Sequence, residues 1–135
     1  MRLIAWDESL SVGTPEIDRH HKEIIDQING FFGRMMHGEG LDGAPQMIDM
    51  LSRSMTDHFR AEETLMSRAG YPGTAQHKIR HQEFHSRFDG LKKDVEGGRP
   101  DAANALFEFC AGWLKDHIRA EDMAMAAFLR KQRAA

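Results

Sequence analysis

Residues 45–72 read PQMIDMLSRSMTDHFRAEETLMSRAGYP. Apolar side chains recur along this stretch at alternating spacings of three and four residues, which is typical of a helix packed in a bundle. The pattern stops at Gly70 and Pro72, residue types that end helices. The stretch therefore predicts an amphipathic helix over about residues 45–69. Two polar residues, His58 and Glu62, stand on its apolar face.

The same periodicity recurs in three further segments, which are separated by breaks rich in Gly and Pro. Thr14 and Pro15 open the first segment with a capping residue and a proline at the first helical position. The predicted helices span about residues 14–36, 45–69, 74–96 and 101–132, and residues 1–13 form an N-terminal arm. Long helices with short connections favour antiparallel neighbours. The predicted fold is all-α, an antiparallel up-down-up-down four-helix bundle that takes residues 1–135 as one domain.

The composition is that of an ordinary globular protein, with 41% apolar and 29% charged residues and a formal net charge of −3. Lys and Arg are scattered, whereas a nucleic-acid binder would show a basic face. No segment approaches the roughly 20 apolar residues that span a bilayer. The single cysteine, Cys110, excludes an internal disulfide and is compatible with a reducing compartment. We expect a cytoplasmic protein without nucleic-acid partners or membrane insertion. The sequence leaves the oligomeric state open and is compatible with a monomer.

Polar residues interrupt the apolar faces of all four predicted helices, and nearly all of them are His or Glu. Taken singly, each has an ordinary explanation, such as a hydrogen-bonded core histidine or a solvated glutamate. Several imidazoles that converge on one core without partners would cost several kcal/mol of desolvation. Neutral imidazole is a ready ligand of first-row metals. The pattern therefore predicts a metal site in the core, built around His21, His58, His77, His81 and His117.

Four motifs, in order and with matching gaps, resemble those of the hemerythrin family, in particular its single-domain bacterial members. The resemblance runs from Trp6 to about Met125, which is nearly the whole chain. The motifs are IDRHHK at residues 17–22, HFRAEE at 58–63, GYP at 70–72 followed by His77 and His81, and WLKDH at 113–117 followed by Asp122.

The resemblance implies a hemerythrin-like domain that holds two non-haem iron ions joined by a bridging oxo or hydroxo group. In relatives, three histidines bind one iron, two bind the other, and two carboxylates bridge the pair. Six-coordination then leaves one position open, on the iron with two histidines. Carried over, the resemblance implies His77, His81 and His117 on one iron, His21 and His58 on the other, and Glu62 and Asp122 as bridges.

The implied function is reversible dioxygen binding for oxygen storage, delivery or scavenging, and not catalysis. An open iron position could also take nitric oxide or other small anions. The chain has no Glu-x-x-His pair, which carboxylate-rich di-iron enzymes use. Two alternatives stay open. One is an oxygen or redox sensor that acts through a protein partner, and the other is a di-iron peroxidase or nitric-oxide-consuming enzyme.

Six apolar residues near the ligands match positions that line the ligand pocket in relatives, although each could equally be ordinary core. They are Ile24, Phe59, Met66, Trp113, Leu114 and Ile118.

Two other positions depart from the family pattern, because relatives usually carry Gln at His20 and many bacterial ones carry Tyr at Ser54. His20 and His21 lie about 100° apart on a helix, and His21 shares the apolar face. We therefore assign His21 as the ligand.

Asp122 follows His117 by five residues, which places the two about 140° apart on an ideal α-helix. A regular helix would therefore point Asp122 away from the site. Either Glu121 is the ligand, at regular spacing, or the helix departs from α-helical geometry between residues 117 and 122. Bulges with i→i+5 hydrogen bonds are rare but concentrate at functional sites. Because the resemblance favours Asp122, we predict such a departure.

Overall fold

The computed structural model describes residues 4–36 and 44–134. Its helices run antiparallel as a four-helix bundle, and the described residues contain no strand, so the predicted fold class is confirmed. None of the described helices is both long and apolar enough to cross a membrane. The elements are a 3-10 helix in the arm (Glu8–Leu10), α1 (Pro15–Met36), α2 (Ala44–Ala69), α3 (Thr74–Glu96), α4 (Ala102–His117), a π-helical turn (Ile118–Asp122) and α5 (Met123–Ala134).

The last three elements form one continuous helical rod. The backbone stays in the right-handed helical region at His117, Ile118 and Met123, where one element passes into the next. The fourth helix of the bundle therefore contains a change of hydrogen-bonding pattern but no break. In the bundle, α1 packs against α2 and α4, and α3 packs against the same two helices.

Helix α2 ends at Ala69, as the glycine after it predicts. Gly70 has a φ of 66°, a left-handed conformation that glycine adopts without strain. The Tyr71 amide donates to the Met66 carbonyl at 3.0 Å, which satisfies an otherwise unpaired carbonyl in the last turn. The predicted break between the first two helices, at residues 37–40, lies outside the described residues.

The N-terminal arm is tied to the bundle by paired polar contacts. The Asn29 side chain donates to the Ile4 carbonyl at 2.7 Å and accepts from the Ile4 amide at 3.0 Å. The Asp18 carboxylate accepts from the Val12 amide at 2.9 Å, and the Arg130 guanidinium donates to the Val12 carbonyl. Ile4 and Val12 are themselves buried. The arm therefore lies along α1, between Asp18 and Asn29, and joins α1 to α5.

Candidate metal centre

The seven residues proposed as ligands lie together in the middle of the bundle, and all of them are buried. They form two groups, within each of which the candidate ligand atoms lie within 4.8 Å of one another. Glu62 belongs to both groups. The three-histidine group is Glu62, His77, His81 and His117, and the two-histidine group is His21, His58, Glu62 and Asp122.

In the three-histidine group, the imidazole Nε2 atoms surround one oxygen from each carboxylate. Glu62 Oε1 lies 3.1 Å from Nε2 of His81 and 3.3 Å from Nε2 of His77. Asp122 Oδ1 lies 3.1 Å from Nε2 of both His77 and His117. The His81 and His117 Nε2 atoms are 3.2 Å apart. Three nitrogens and two oxygens therefore converge on one small volume.

The other oxygen of each carboxylate faces the two-histidine group. Asp122 Oδ2 lies 2.9 Å from His21 Nε2, and Glu62 Oε2 lies 3.1 Å from His58 Nε2. Glu62 Oε2 is also 3.8 Å from His21 Nε2. Each carboxylate thus spans the two groups with one oxygen in each. This is the arrangement that bridging carboxylates adopt between two metal ions.

The spacing and the hydrogen bonding of these atoms fit a pair of metal ions. Neighbouring ligands of one ion lie about 3 Å apart when the metal–ligand distance is about 2.1 Å, which matches the separations above. Several of the atoms nevertheless make no well-aligned hydrogen bond. The buried atoms without a partner include both nitrogens of His21 and His58, Glu62 Oε2 and both oxygens of Asp122. Buried polar groups need partners, and a cation at each convergence point would supply one.

The charges in the cluster favour bound cations. Burial raises the pKa of Glu62, but the surrounding imidazoles, His58 first among them, outweigh burial and hold that pKa well below its usual value. Burial and the Glu62 charge likewise raise the pKa of Asp122, yet the nearby imidazoles of His117, His21 and His77 lower it to about 2. Both carboxylates therefore stay ionised in the core and offer two negative charges.

The pKa values of three histidines shift in the opposite direction, upwards. Burial lowers the pKa of His21, but the Asp122 and Glu62 carboxylates outweigh burial and raise it to about 9. The same balance raises the pKa of His77 to about 9 and that of His117 to about 10. Without metal, protons on these imidazoles balance the buried carboxylates. A metal ion would replace the protons, because only the neutral imidazole is a ligand.

Two further carboxylates orient the histidines from outside the cluster. His81 Nδ1 donates to Glu63 Oε2 at 2.9 Å, and His117 Nδ1 donates to Glu121 Oε1 at 3.1 Å. A carboxylate that accepts from Nδ1–H fixes the tautomer and leaves the Nε2 lone pair for a metal. Sequence reasoning missed both roles. Glu121 had a usable signal, because it follows His117 by four residues, the same spacing as His58 and Glu62.

Asp122 reaches the cluster because the helix widens just before it. Residues Ile118–Asp122 form a π-helical turn, in which the Met123 amide donates to the Ile118 carbonyl. An i→i+5 bond brings residues five apart into line. The predicted departure from α-helical geometry between His117 and Asp122 is therefore confirmed. Glu121 contacts the outer nitrogen of His117 and does not face the cluster.

Five of the six predicted pocket residues are buried, and Trp113 is partly exposed. The Phe59 ring stacks on His81, with centroids 3.8 Å apart, and the Trp113 ring stacks on His117 at 4.5 Å. These two rings therefore pack on the three-histidine group. Ile24 lines a cavity together with His58 of the two-histidine group. The remaining three, Met66, Leu114 and Ile118, belong to the buried core.

A helical bundle with this cluster at its centre defines a class of protein: four-helix-bundle proteins with a metal-binding core. Residues 12–129 match the family model described as the hemerythrin HHE cation binding domain. The chain belongs to the hemerythrin family.

Named relatives cover most of the chain. A bacteriohemerythrin from Stenotrophomonas maltophilia is 32% identical over 126 residues, which are 93% of this chain and 81% of that protein. A bacteriohemerythrin from Pseudomonas aeruginosa is 31% identical and covers 90% of this chain and 78% of its own length. Myohemerythrin-1 from Phascolopsis gouldii is 31% identical, over 87% of each chain. The similarity thus extends to both bacteriohemerythrins and a myohemerythrin.

Proposed function

We propose that the cluster holds two iron ions and that the protein binds dioxygen reversibly at them. The carrying observation is that Glu62 and Asp122 each place one oxygen in the three-histidine group and the other in the two-histidine group. This arrangement suits two ions that share two carboxylates. The proposed ligands are His21, His58, Glu62, His77, His81, His117 and Asp122.

The two groups are unequal, and the inequality supports a binding role. The two-histidine group has one nitrogen donor fewer, so an ion there would keep a position open for a small ligand. When bound, the iron pair would supply the electrons that dioxygen takes up on binding and returns on release. The protein's part is to hold the pair and to limit the access of water, to which the buried apolar side chains of Ile24, Leu114 and Ile118 contribute.

A peroxidase-type enzyme is the second candidate, and one observation favours it. Two cavities whose linings include charged side chains reach His58 of the two-histidine group. Water and peroxide could use them, and a site open to water supports turnover better than long-lived dioxygen binding.

Metal analysis and optical spectroscopy would test the proposal together. We expect about two irons per chain after expression with iron. Addition of dioxygen to the reduced protein should produce a visible absorption band that disappears when dioxygen is removed. A protein that reproducibly holds one metal or only zinc would overturn the di-iron assignment. A band that bleaches rapidly while peroxide is consumed would favour the second candidate.

The variant Glu62→Ala tests the shared carboxylate directly. It removes an oxygen from both groups, and buried cationic charge then lacks compensation. We expect loss of bound iron and a lower melting temperature of the iron-treated protein. Glu108→Ala, at an exposed position on α4, is the matched control and should retain both. If Glu62→Ala kept two irons, Glu62 would not be a ligand.

A further inference from the structure

Two cavities open between α1 and α2, and both reach the two-histidine group. The first has a volume of about 320 Å³ and includes His58 and Glu62 in its lining. The second has a volume of about 210 Å³ and includes His58 and Ile24. A small molecule in either cavity would therefore meet a proposed ligand of the ion that has an open position.

His20, like His58, lines both cavities. It is partly exposed, and its ring stands edge-on to that of His58 with centroids 5.6 Å apart. The position where the chain departs from the family's usual glutamine thus lies at the approach to the site. Ser54, the other departure, lines only the smaller cavity.

The charged residues around the cavities differ in sign. Besides the histidines and Glu62, the larger cavity is lined by Arg60, Arg68 and Glu16; we call it the arginine-flanked cavity. Glu23 and Asp57 are the charged residues that line the smaller one, which has no Lys or Arg; we call it the acid-flanked cavity.

Both arginines of the larger cavity are exposed. Within residues 4–36 and 44–134, neither guanidinium takes part in any of the ion pairs described, which involve other side chains. Their charge is therefore free to act on an approaching ligand. With Glu16 opposing them, the charged lining residues outside the metal cluster carry one net positive charge, against two negative charges on the acid-flanked cavity.

We propose that small monovalent anions reach the two-histidine group through the arginine-flanked cavity and not through the acid-flanked one. A cleft with cationic walls of low dielectric raises the local concentration of anions and their association rate, whereas acidic walls repel them. The inference rests on the proposed function, because the destination is the open iron position. It adds which face of the bundle admits charged ligands and which residues select them.

Azide binding to the oxidised, iron-loaded protein tests this route by stopped-flow absorption. We expect Arg60→Gln and Arg68→Gln each to slow azide association by about two- to fivefold at low ionic strength, with little change in dissociation. The difference should shrink as salt screens the charges. Arg53→Gln removes the same charge from an exposed position of α2 that lines neither cavity. This variant should bind azide at the parental association rate.

Two further measurements are needed. The first separates the effect of the arginine charge from a structural effect of the substitution, and the second separates the role of one cavity from that of the other. Binding of nitric oxide, a neutral probe, to the reduced protein should proceed at the parental rate in both arginine variants. Glu23→Gln and Asp57→Asn remove charges that repel anions from the acid-flanked cavity, so azide association should not slow in either variant. Azide association that slows in either acidic variant as much as in the arginine variants would overturn the proposed route.

The remaining outcomes distinguish this inference from the function on which it rests. Equal azide rates in Arg60→Gln, Arg68→Gln and Arg53→Gln, with a clear azide band in the parent, would overturn the route alone. A parent protein that takes up iron but forms no azide band would overturn the open position and the route together. A protein that takes up no iron would overturn the proposed function and, with it, the route.

Discussion

Asp122 Oδ1 lies 3.1 Å from His117 Nε2, although the two residues are five positions apart on one continuous helix. The π-helical turn at Ile118–Asp122 accounts for this closeness, because it accommodates one residue more than an α-helical turn. The extra residue leaves the helical faces before and after it in register. The site therefore depends on this turn, and shortening or lengthening the turn by one residue has a predictable effect on the direction of the Asp122 side chain relative to His117.

Deletion of Ala120 should preserve the metal site. The deletion would convert the turn to regular α-helix and place the aspartate four residues after His117, which is again in line. Ala120 is exposed, so no core contact is lost. We expect about two irons per chain, measured by metal analysis.

Insertion of one alanine after Ala120 is the opposite change, and it should abolish iron binding. It would place Asp122 six residues after His117, on the far side of the helix. A folded deletion variant without iron, or an insertion variant with two irons, would contradict this account of the π-helical turn.

Replacement of the outer carboxylates should weaken iron binding without abolishing it. Glu63→Ala and Glu121→Ala remove the acceptors of His81 and His117 Nδ1–H. Loss of such a partner typically costs 10–100-fold in metal affinity. Competition with a chelator would measure the loss. The glutamine variants should recover part of the affinity, because the amide oxygen still accepts, and Glu108→Ala should match the parent. Unchanged affinity in both alanine variants would exclude an orienting role.

Trimming of the residues that shield the site should speed autoxidation of the oxygenated protein. Leu114→Ala opens space in the core, and Trp113→Ala removes the ring stacked on His117. Both changes admit water. Leu106→Ala is the matched control for Leu114→Ala, because both leucines are 1% exposed and both variants should lose about 2–5 kcal/mol of stability. If all three variants autoxidised equally fast, destabilisation and not access of water would be the cause.

The metal-free protein should lose stability as the pH rises from 7 to 10. The pKa values of His21 and His77 are raised to about 9, and that of His117 to about 10, against about 6.5 for unfolded histidine. The folded state therefore binds more protons over this range, so its stabilisation is complete below pH 6.5 and lost as pH rises through 9 to 10. Denaturant titration at each pH would measure the decline.

Two controls accompany this prediction. Burial raises the pKa of the Cys110 thiol to about 12, which also favours unfolding at high pH, so Cys110→Ala should keep the histidine contribution alone. Iron binding should release protons at pH 7, since the imidazoles must be neutral to bind. Metal-free stability that rises between pH 7 and 10 in Cys110→Ala would contradict the assigned histidine charges.

Much of the fold and of the cluster could be predicted from the sequence, because both depend on helical periodicity. An α-helix repeats every 3.6 residues, so the spacing of apolar residues identifies a buried face without knowledge of the partner helix. This rule assigns His21, and not His20, to the buried face of the first helix. In the structure, His21 is buried in the cluster and His20 is partly exposed at its edge. The same arithmetic showed that Asp122 does not fit a regular helix.

Only the tertiary structure decided which atoms face one another across helices. The pattern of residues along the chain does not show that Glu63 meets His81 from the neighbouring helix, that Glu62 and Asp122 divide their oxygens between two groups, or that Arg60 and Asp57 line different cavities. These relationships depend on the rotation and separation of packed helices and on side-chain rotamers. Periodicity within one helix specifies a face but not the residue that it meets, because contact between helices is settled by the packing of all of them together.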